Sequence, residues 1–350
     1  MKQSILLQKI ENENIDTLSL IGMAKNVGKT ETLNHLIRYG QSKILGVTSA
    51  GLDGEGKDLI TLGKKPKIWL PEKALFATAE TCLLKADLKY EILDDSGFSN
   101  ALGRIFLVRV KEAGFVELAG PPMKSGLKSV GKMLQGLGAE LVIIDGALDR
   151  MGAAGSLITK GAILCTGSVV GKSIDQIGLK TEVRFEQLTL KPASEEIISR
   201  WNSLIQSKIT FLNQDLEETP LLLDTLVGNE NKVLSWIKRQ PQLGYLVING
   251  AVTEKLLEMV VFNAHLFQDI NLVIRSGNAL FVDEQSWLRY KKAHGRISVL
   301  EPINVLAISV NPYTAFGKSY APKELLVNIG SRITPIKPVP VVDVLSGYSL

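Results

Sequence analysis

Short runs of apolar residues alternate along this chain with longer stretches in which apolar residues recur every three or four positions. The short runs are typical of buried strands, and the longer stretches are typical of amphipathic helices. The alternation predicts an α/β protein with helices layered on a mainly parallel sheet. The predicted strands in the first part of the chain are 17–22, 43–49, 67–70, 141–144 and 163–166, and the predicted helices are 29–39, 71–84, 124–137, 173–185 and 194–207.

The remaining pattern predicts a β-hairpin and a second domain. Residues 104–110 and 115–118 would form the hairpin, with its turn at Ala113 and Gly114. We place the end of a first domain of residues 1–208 after the last of those helices, and expect a smaller α/β domain in residues 209–350. The second domain would contain strands 245–248, 272–274 and 305–310, helices 254–262, 284–293 and 322–329, and a proline-rich extended edge strand or tail at 334–342.

Length and charge limit the broad class of the protein. At 350 residues the chain is long enough for two domains, and 45% hydrophobic and 22% charged residues are ordinary globular values. The net charge of +4 is small and spread along the chain, so we expect no nucleic-acid partner. No apolar run approaches the roughly 18 residues of a membrane span, and the amino-terminal run is too short for a signal peptide. The sequence therefore predicts a soluble, cytoplasmic protein without a membrane partner.

The number and spacing of the cysteines and histidines argue against several enzyme classes. The two cysteines, Cys82 and Cys165, cannot form a disulfide framework or a zinc site. The three histidines are far apart and lack metal-ligand spacing, which argues against a metalloprotease or zinc hydrolase. No nucleophile-elbow signature of a serine hydrolase is present.

The strongest chemical signal is the segment GMAKNVGKT at residues 22–30, between a predicted strand and a predicted helix. In a phosphate-binding loop, successive backbone N–H groups and the helix N-terminus hold phosphate oxygens. Gly28 would let the backbone approach the phosphates, Lys29 would reach the β- and γ-phosphates, and the Thr30 hydroxyl would bind Mg²⁺. The residues expected to contact the nucleotide are Gly22, Lys25, Asn26, Val27, Gly28, Lys29, Thr30 and Glu31.

The spacing of this segment departs from the usual motif. GxxxxGK[ST] requires glycine five residues before Gly28, where this chain has Met23, and Gly22 lies one residue earlier. The alternative is an ordinary strand-turn-helix in which GKT occurs by chance.

Two carboxylates are candidates for Mg²⁺ binding and for positioning the attacking water. Asp145 ends the apolar run LVIID, where a Walker-B carboxylate is expected, and Asp53 lies in the glycine-rich loop 51–58 with Glu55 as its substitute. The alternatives are an ordinary strand-end aspartate and a solvated turn. Asp149 and Arg150 would contact phosphate, a partner subunit or each other. The predicted catalytic residues are Lys29, Asp53 and Asp145, and the predicted metal ligands are Thr30, Asp53 and Asp145.

Two further GKS tripeptides are weaker candidates. Residues 171–173 follow a strand, but the step from Gly167 to Gly171 is too short for a phosphate-binding loop. Residues 317–319 lack an upstream glycine, although the loop that begins with Asn311 and Pro312 would lie at a strand end where ligands bind. No [NT]KxD segment follows a strand, which favours ATP over GTP.

The six-residue spacing between Gly22 and Gly28 resembles that in the phosphate-binding loops of dethiobiotin synthetase, the cobyrinic acid amide synthetases and the MinD-like ATPases. MinD-like members often carry a second lysine where this chain has Ala24, with Lys25 next to it. Four segments together are similar to the P-loop component of the reactivases of lysine 5,6-aminomutase and ornithine aminomutase. These segments are 21–37, 47–58, 66–79 and 141–150, and the Asn311 loop and residues 340–344 also fit.

This resemblance implies a three-layer P-loop NTPase domain that uses ATP and Mg²⁺ to release damaged cobalamin from a B12-dependent aminomutase. It implies a second, MutS-like subunit as partner, a role in amino-acid fermentation, and a loop 51–58 that reports nucleotide state; it also allows a homodimer. Two alternatives remain open. One is an ATP-dependent biosynthetic enzyme of the dethiobiotin or cobyrinate synthetase type, and the other is a nucleotide-binding regulatory module.

Overall fold

A computed structural model describes residues 4–50, 67–146, 159–204, 206–221, 223, 225–239, 243–313 and 319–350. The strands are β1 (Thr17–Gly22), β2 (Leu45–Ser49), β3 (Ile68–Leu70), β4 (Leu75–Ala79), β5 (Asp87–Asn100), β6 (Gly103–Val116), β7 (Leu141–Asp145), β8 (Gly161–Gly167), β9 (Ile209–Asn213), β10 (Glu218–Leu221), β11 (Leu243–Ile248), β12 (Val252–Thr253), β13 (Asn271–Ile274), β14 (Leu280–Phe281), β15 (Arg296–Val299), β16 (Val305–Asn311), β17 (Val341–Asp343) and β18 (Tyr348–Ser349). The helices are α1 (Ile5–Asn12), α2 (Lys29–Tyr39), α3 (Glu80–Leu84), α4 (Lys124–Gly136), α5 (Ile174–Leu188), α6 (Glu195–Ser199), α7 (Trp201–Leu204), α8 (Glu230–Ile237), α9 (Glu254–Phe262), α10 (Ala264–Phe267), α11 (Glu284–Lys292) and α12 (Pro322–Ile333).

The first unit of the chain is built on a large mixed sheet with the strand order β18-β17-β16-β8-β1-β7-β2-β4-β6-β3, and β5 pairs with β6. Strands β17 to β4 in this order are parallel, while β18, β6, β3 and β5 are antiparallel to their neighbours. The parallel strands are buried along most of their length, as expected when both faces of a sheet are covered. The predicted α/β class with a mainly parallel sheet is confirmed.

Helices cover both faces of this sheet. Strand β7 shows the division, because Leu141 and Ile143 belong to one apolar cluster while Val142 and Ile144 belong to another. Side chains of a strand alternate between faces, so the two clusters lie on opposite sides. The first cluster includes Leu33, Leu36 and Ile37 of α2, and the second includes Leu127, Val130 and Leu134 of α4.

The second unit has a smaller sheet with the strand order β10-β9-β11-β13-β15. Strands β11, β13 and β15 are parallel, and β9 is antiparallel to both β10 and β11. Val247 and Val273 pack into the core of this unit together with Leu212 and Ile197.

The division of the chain differs from the predicted boundary at residue 208. The first unit comprises described residues of 1–151, 158–182 and 304–350, and the second is built from Val183–Ile303. The reason is β16, which is predicted for the second domain but belongs to the first unit. This strand pairs in parallel with β8, and its residues from Val305 to Val310 are buried, which suits an internal strand of the large sheet.

Two local predictions are wrong. Residues 71–84 are not one helix, because Leu75–Ala79 forms β4 between β2 and β6, and only Glu80–Leu84 is helical. The hairpin does not turn at Ala113 and Gly114. Strand β6 continues through both residues, and Gly114 is needed because a Cβ there would lie 1.9 Å from the Asp87 oxygen.

Two further corrections concern chain segments near the ends of the units. The predicted helix 194–207 is broken at Arg200 into α6 and α7. The proline-rich segment 334–342 leads into β17, which is not an edge strand because β18 pairs with it. Loop 51–58, Asp149 and Arg150 lie outside the described residues. No helix in the described part of the chain is long and apolar enough to cross a membrane.

Candidate functional site

The carboxyl ends of five parallel strands meet at one edge of the large sheet. Strand β1 ends at Gly22, β2 at Ser49, β7 at Asp145, β8 at Gly167 and β16 at Asn311. Their register brings Ser49 opposite Asp145 and Asn311 opposite Gly167. The carboxyl edge of a parallel sheet is where open α/β folds bind ligands.

The loop from Met23 to Gly28 joins β1 to α2 at this edge. Two of its residues, Asn26 with φ 64° and Gly28 with φ 85°, have left-handed backbone conformations. Met23 N donates a hydrogen bond to the Cys165 carbonyl at 3.0 Å, and the side chain of Val27 is only 2% exposed. Lys25 is exposed. The buried Val27 anchors the loop to the core and leaves the polar side chains on its outer side.

The Lys29 side chain lies across the start of this loop. A Cβ atom on Gly22 would lie 2.9 Å from the Lys29 Cδ and 3.0 Å from its Cε. A side chain at position 22 would displace the lysine stem, so glycine leaves room for the stem there. The glycine that lies six residues before Gly28, instead of the usual five, is thus the residue over which the Lys29 stem passes.

The first turn of α2 has no side-chain cap. Its N-cap residue is Gly28, which has no side chain to accept a hydrogen bond from the turn. Uncapped N–H groups and the positive end of the helix dipole favour an anion at this position. Thr30 is half-buried in this turn, and Glu31 is exposed.

Asn311 is the residue of this edge that the sequence analysis did not assign to the loop. A Cβ on Gly28 would lie 2.9 Å from the Asn311 Cβ, and Asn311 Nδ2 donates to the Asn26 carbonyl at 3.4 Å. From the sequence, Asn311 is predicted to lie in a ligand loop of the second domain, and the pairing of β16 with β8 corrects this prediction. The sequence of β16, VLAISVN, predicts a buried strand but carries no signal of which sheet the strand joins.

A buried hydroxyl pair joins the same two segments beneath the loop. Thr32 Oγ1 donates to the Gly28 carbonyl at 3.0 Å and shares a 2.7 Å hydrogen bond with Ser309 Oγ. Both residues are at most 2% exposed, and Cys165 Sγ lies 3.7 Å from Thr32 Oγ1. These contacts fix the start of α2 to β16, so the loop has a defined shape at both ends.

Asp145 lies at the end of β7, next to β1. It stands opposite Leu20 in the register, and its carbonyl accepts a 2.9 Å hydrogen bond from Ala50 N, where the chain leaves β2. The predicted Asp53 and Glu55 follow that point but are outside the described residues, as are Asp149 and Arg150. The structure thus brings together the edge positions of Gly22, Lys29 and Asp145, and Asp53 stays a prediction.

The second GKS tripeptide has a different geometry. Gly171 has a φ of −154°, which is ordinary extended backbone. Lys172 N donates to Gln176 Oε1 at 2.7 Å, and Gln176 N donates to Ser173 Oγ at 3.2 Å. These reciprocal contacts resemble a capping box shifted by one residue to Lys172, and they occupy groups that a phosphate would need. Of the third tripeptide, only Ser319 is described.

Within the described part of the chain, no cluster of three or more His, Cys, Asp or Glu side chains is arranged to hold a metal ion. Comparisons with protein-family models, curated proteins and solved structures found no match to this chain.

Proposed function

We propose that this chain is a Mg²⁺-dependent P-loop ATPase. The observation that carries the proposal is the contact between Gly22 and Lys29, in which the lysine stem lies over the loop between β1 and α2. A lysine in this position directs its ammonium group toward the anion that the loop and the helix N-terminus would hold.

Each predicted residue then has a defined task. The backbone of residues 22–28 and the first turn of α2 would hold the phosphates, and Lys29 would neutralise their charge. Thr30, Asp145 and Asp53 would hold Mg²⁺, which takes few protein ligands and completes its shell with phosphate oxygens and water. Bound ATP would supply a phosphoric anhydride whose hydrolysis is strongly favourable, and Mg²⁺ would bind its phosphate oxygens. Asn311 would maintain the loop through its contacts with Gly28 and Asn26.

We propose further that the ATPase acts as a reactivase of a B12-dependent aminomutase, together with a MutS-like subunit. The support for this step is the resemblance of residues 21–37, 47–58, 66–79 and 141–150 to reactivase components. On this proposal, hydrolysis drives a conformational cycle in the client enzyme and transfers no group to a metabolite.

The test is Mg²⁺-dependent ATP hydrolysis by the full chain, measured alone and with a cobalamin-inactivated aminomutase and the partner subunit. The proposal predicts slow turnover alone, stimulation by the inactivated mutase, and recovery of mutase activity after fresh cofactor is added. The intact mutase serves as the matched control and should stimulate less.

Other outcomes separate the two levels of the proposal. Turnover that is indifferent to the mutase but stimulated by a small-molecule acceptor would replace the reactivase with a biosynthetic enzyme. Nucleotide binding without turnover would indicate a regulatory module. Absence of nucleotide binding would contradict the P-loop assignment itself.

A further inference from the structure

An open cavity of about 400 Å³ lies at the opposite, amino edge of the large sheet. One wall is the segment 41–44, which leads into β2, and the other is the turn 71–74, which leads into β4. Because β2 and β4 are parallel neighbours, these segments lie side by side at the ends of the strands that are remote from Lys29. The volume is within the range of small-molecule sites.

Hydrogen bonds fix both walls of the cavity. Ile44 N donates to Glu140 Oε2 at 2.7 Å, and Glu140 N donates to the Ile44 carbonyl at 2.8 Å. On the other wall, Lys73 N donates to the Val110 carbonyl at 3.0 Å, and Val110 N donates to the Ala74 carbonyl at 2.9 Å. The cavity is therefore defined by backbone positions that a ligand would not have to order.

Lys73 occupies a position that disfavours lysine. Its φ is 70°, and Ala74 N closes the turn onto the Pro71 carbonyl at 3.3 Å. The third residue of such a turn is normally glycine or asparagine, because other side chains are strained in the left-handed region. A residue that opposes its local conformational preference is a candidate for a role other than folding.

The lining residues provide donors for an anion. Lys43 and Lys73 contribute ammonium groups, Ser42 a hydroxyl and Gln41 an amide. Glu72 also lines the cavity, and the carboxylates of Glu140 and Glu11 contact the 41–44 wall, so anion binding depends chiefly on the Lys73 ammonium group. Lys43 contacts Glu11 at 3.4 Å, but a partly exposed pair of this kind is weak and would yield to a ligand.

We infer that this cavity is a second binding site of the protein, for a small organic oxyanion that carries a phosphate or carboxylate group. The side chain of Ile44, which is 40% exposed, provides an apolar wall for the carbon part of such a ligand. The inference does not depend on nucleotide binding, because no residue of the loop 22–28 lines the cavity.

Isothermal titration of the full chain with glycerol 3-phosphate and with succinate tests this site and distinguishes the two ligand groups. At least one probe should bind with a Kd below about 1 mM. Lys73→Gly should weaken that binding about tenfold, as expected for the loss of one charge-assisted hydrogen bond, and Lys43→Gln should act in the same direction. Lys29→Ala should leave probe binding unchanged.

Thermal unfolding of the same variants separates the ligand role from a structural one. Lys73→Gly should raise the melting temperature by about 1–3 °C, because glycine relieves the left-handed strain. His294→Gly is the matched control, since His294 has a φ of 57° and lies outside the cavity. It should gain stability similarly and bind the probe like the parent.

The inference is overturned if neither probe binds the parent below that concentration. It is also overturned if Lys73→Gly binds the better probe as tightly as the parent does. Loss of binding in Lys29→Ala would equally contradict it, because the probe would then occupy the nucleotide loop.

Discussion

Two helix starts, one in each unit, differ in how their polar groups are satisfied. In the first unit, α2 begins at Gly28 without a side-chain cap, and the Lys29 stem lies over Gly22. In the second unit, α11 begins with a cap, because Ser286 N donates to the Asp283 carboxylate at 2.7 Å. One helix start has a glycine N-cap without a side chain, and the other is capped by the protein's own carboxylate.

The turn after β13 shows the same contrast. Arg184 donates to the Asn278 Oδ1 at 3.0 Å and lies within 3.5 Å of the Gly277 carbonyl. Gly277 approaches the backbone of Gln187 so closely that a Cβ would lie 1.9 Å from its oxygen. Glycine therefore serves opposite purposes in the two units. At Gly22 it makes room for a lysine, and at Gly277 it allows the protein to close on itself.

The largest expected effect on stability comes from Gly277→Ala. The new methyl group would meet backbone atoms of Gln187, which cannot move away as a flexible side chain would. We expect a loss of about 3 kcal/mol in the free energy of unfolding, with ATP binding unchanged.

Chemical denaturation followed by tryptophan fluorescence measures this loss. Gly250→Ala is the control, because a Cβ there would meet nothing within 4 Å. Equal stability of the two variants would show that the turn after β13 is not closely packed.

Gly28→Ala should have a smaller effect on stability and a large one on nucleotide binding. The substitution strains a left-handed residue and places a methyl group 2.9 Å from the Asn311 Cβ, which we expect to cost about 2 kcal/mol. ATP affinity should fall at least about tenfold, since the loop must shift.

The matched control is Gly138→Ala, because Gly138 has a φ of 104° but no neighbour within 4 Å of a Cβ. It should carry the backbone strain alone and bind ATP like the parent. If Gly28→Ala also binds ATP like the parent, the loop does not contact the nucleotide.

The smallest expected effect is a difference in acid sensitivity between the units. In the first unit, burial lowers the pKa of His35 from 6.5, against a hydrogen bond to the Val344 backbone that raises it. The unfolded chain binds this proton first, so the contribution of His35 is full above about pH 6.5 and is lost as pH falls through the lowered pKa. In the second unit, the hydrogen bond from Ser286 N lowers the pKa of Asp283 from 3.8, so its contribution is lost only at more acidic pH.

Thermal unfolding between pH 8 and pH 5 measures this difference. The parent should lose more stability over this range than His35→Gln, whereas Asp283→Asn should show the same pH dependence as the parent. A parental pH dependence in His35→Gln would assign the acid sensitivity to another group.

Five parallel strands of the large sheet, β1, β2, β7, β8 and β16, could be predicted because their apolar runs are unambiguous. The bounds predicted for β1, α2 and α9 agree with the structure. Residues 71–84 misled the prediction, because proline followed by a short apolar run suits both a helix start and a buried strand. The long strand β5 was missed because its exposed, charged residues hide the alternation of an edge strand.

The residues of the candidate site could be predicted only where a local sequence pattern marks them. The loop 22–30 could be found from its glycine and lysine spacing, and the position of Asp145 from the apolar run before it. Asn311 is separated from Gly28 by the whole second unit in the sequence, so only the strand pairing of β16 with β8 brings it to the loop. A local pattern carries no information about such a contact.

The most direct test of the central claim compares Lys29→Ala with Lys172→Ala in an equilibrium ATP-binding titration with Mg²⁺. Both lysines follow glycine in a GK[ST] tripeptide, but only Lys29 lies over a loop glycine, and Lys172 belongs to a self-capped turn. We predict a loss of ATP affinity of about a hundredfold for Lys29→Ala, parental affinity for Lys172→Ala, and unchanged melting temperatures for both. Parental ATP affinity in Lys29→Ala would contradict the assignment of this edge as a nucleotide site.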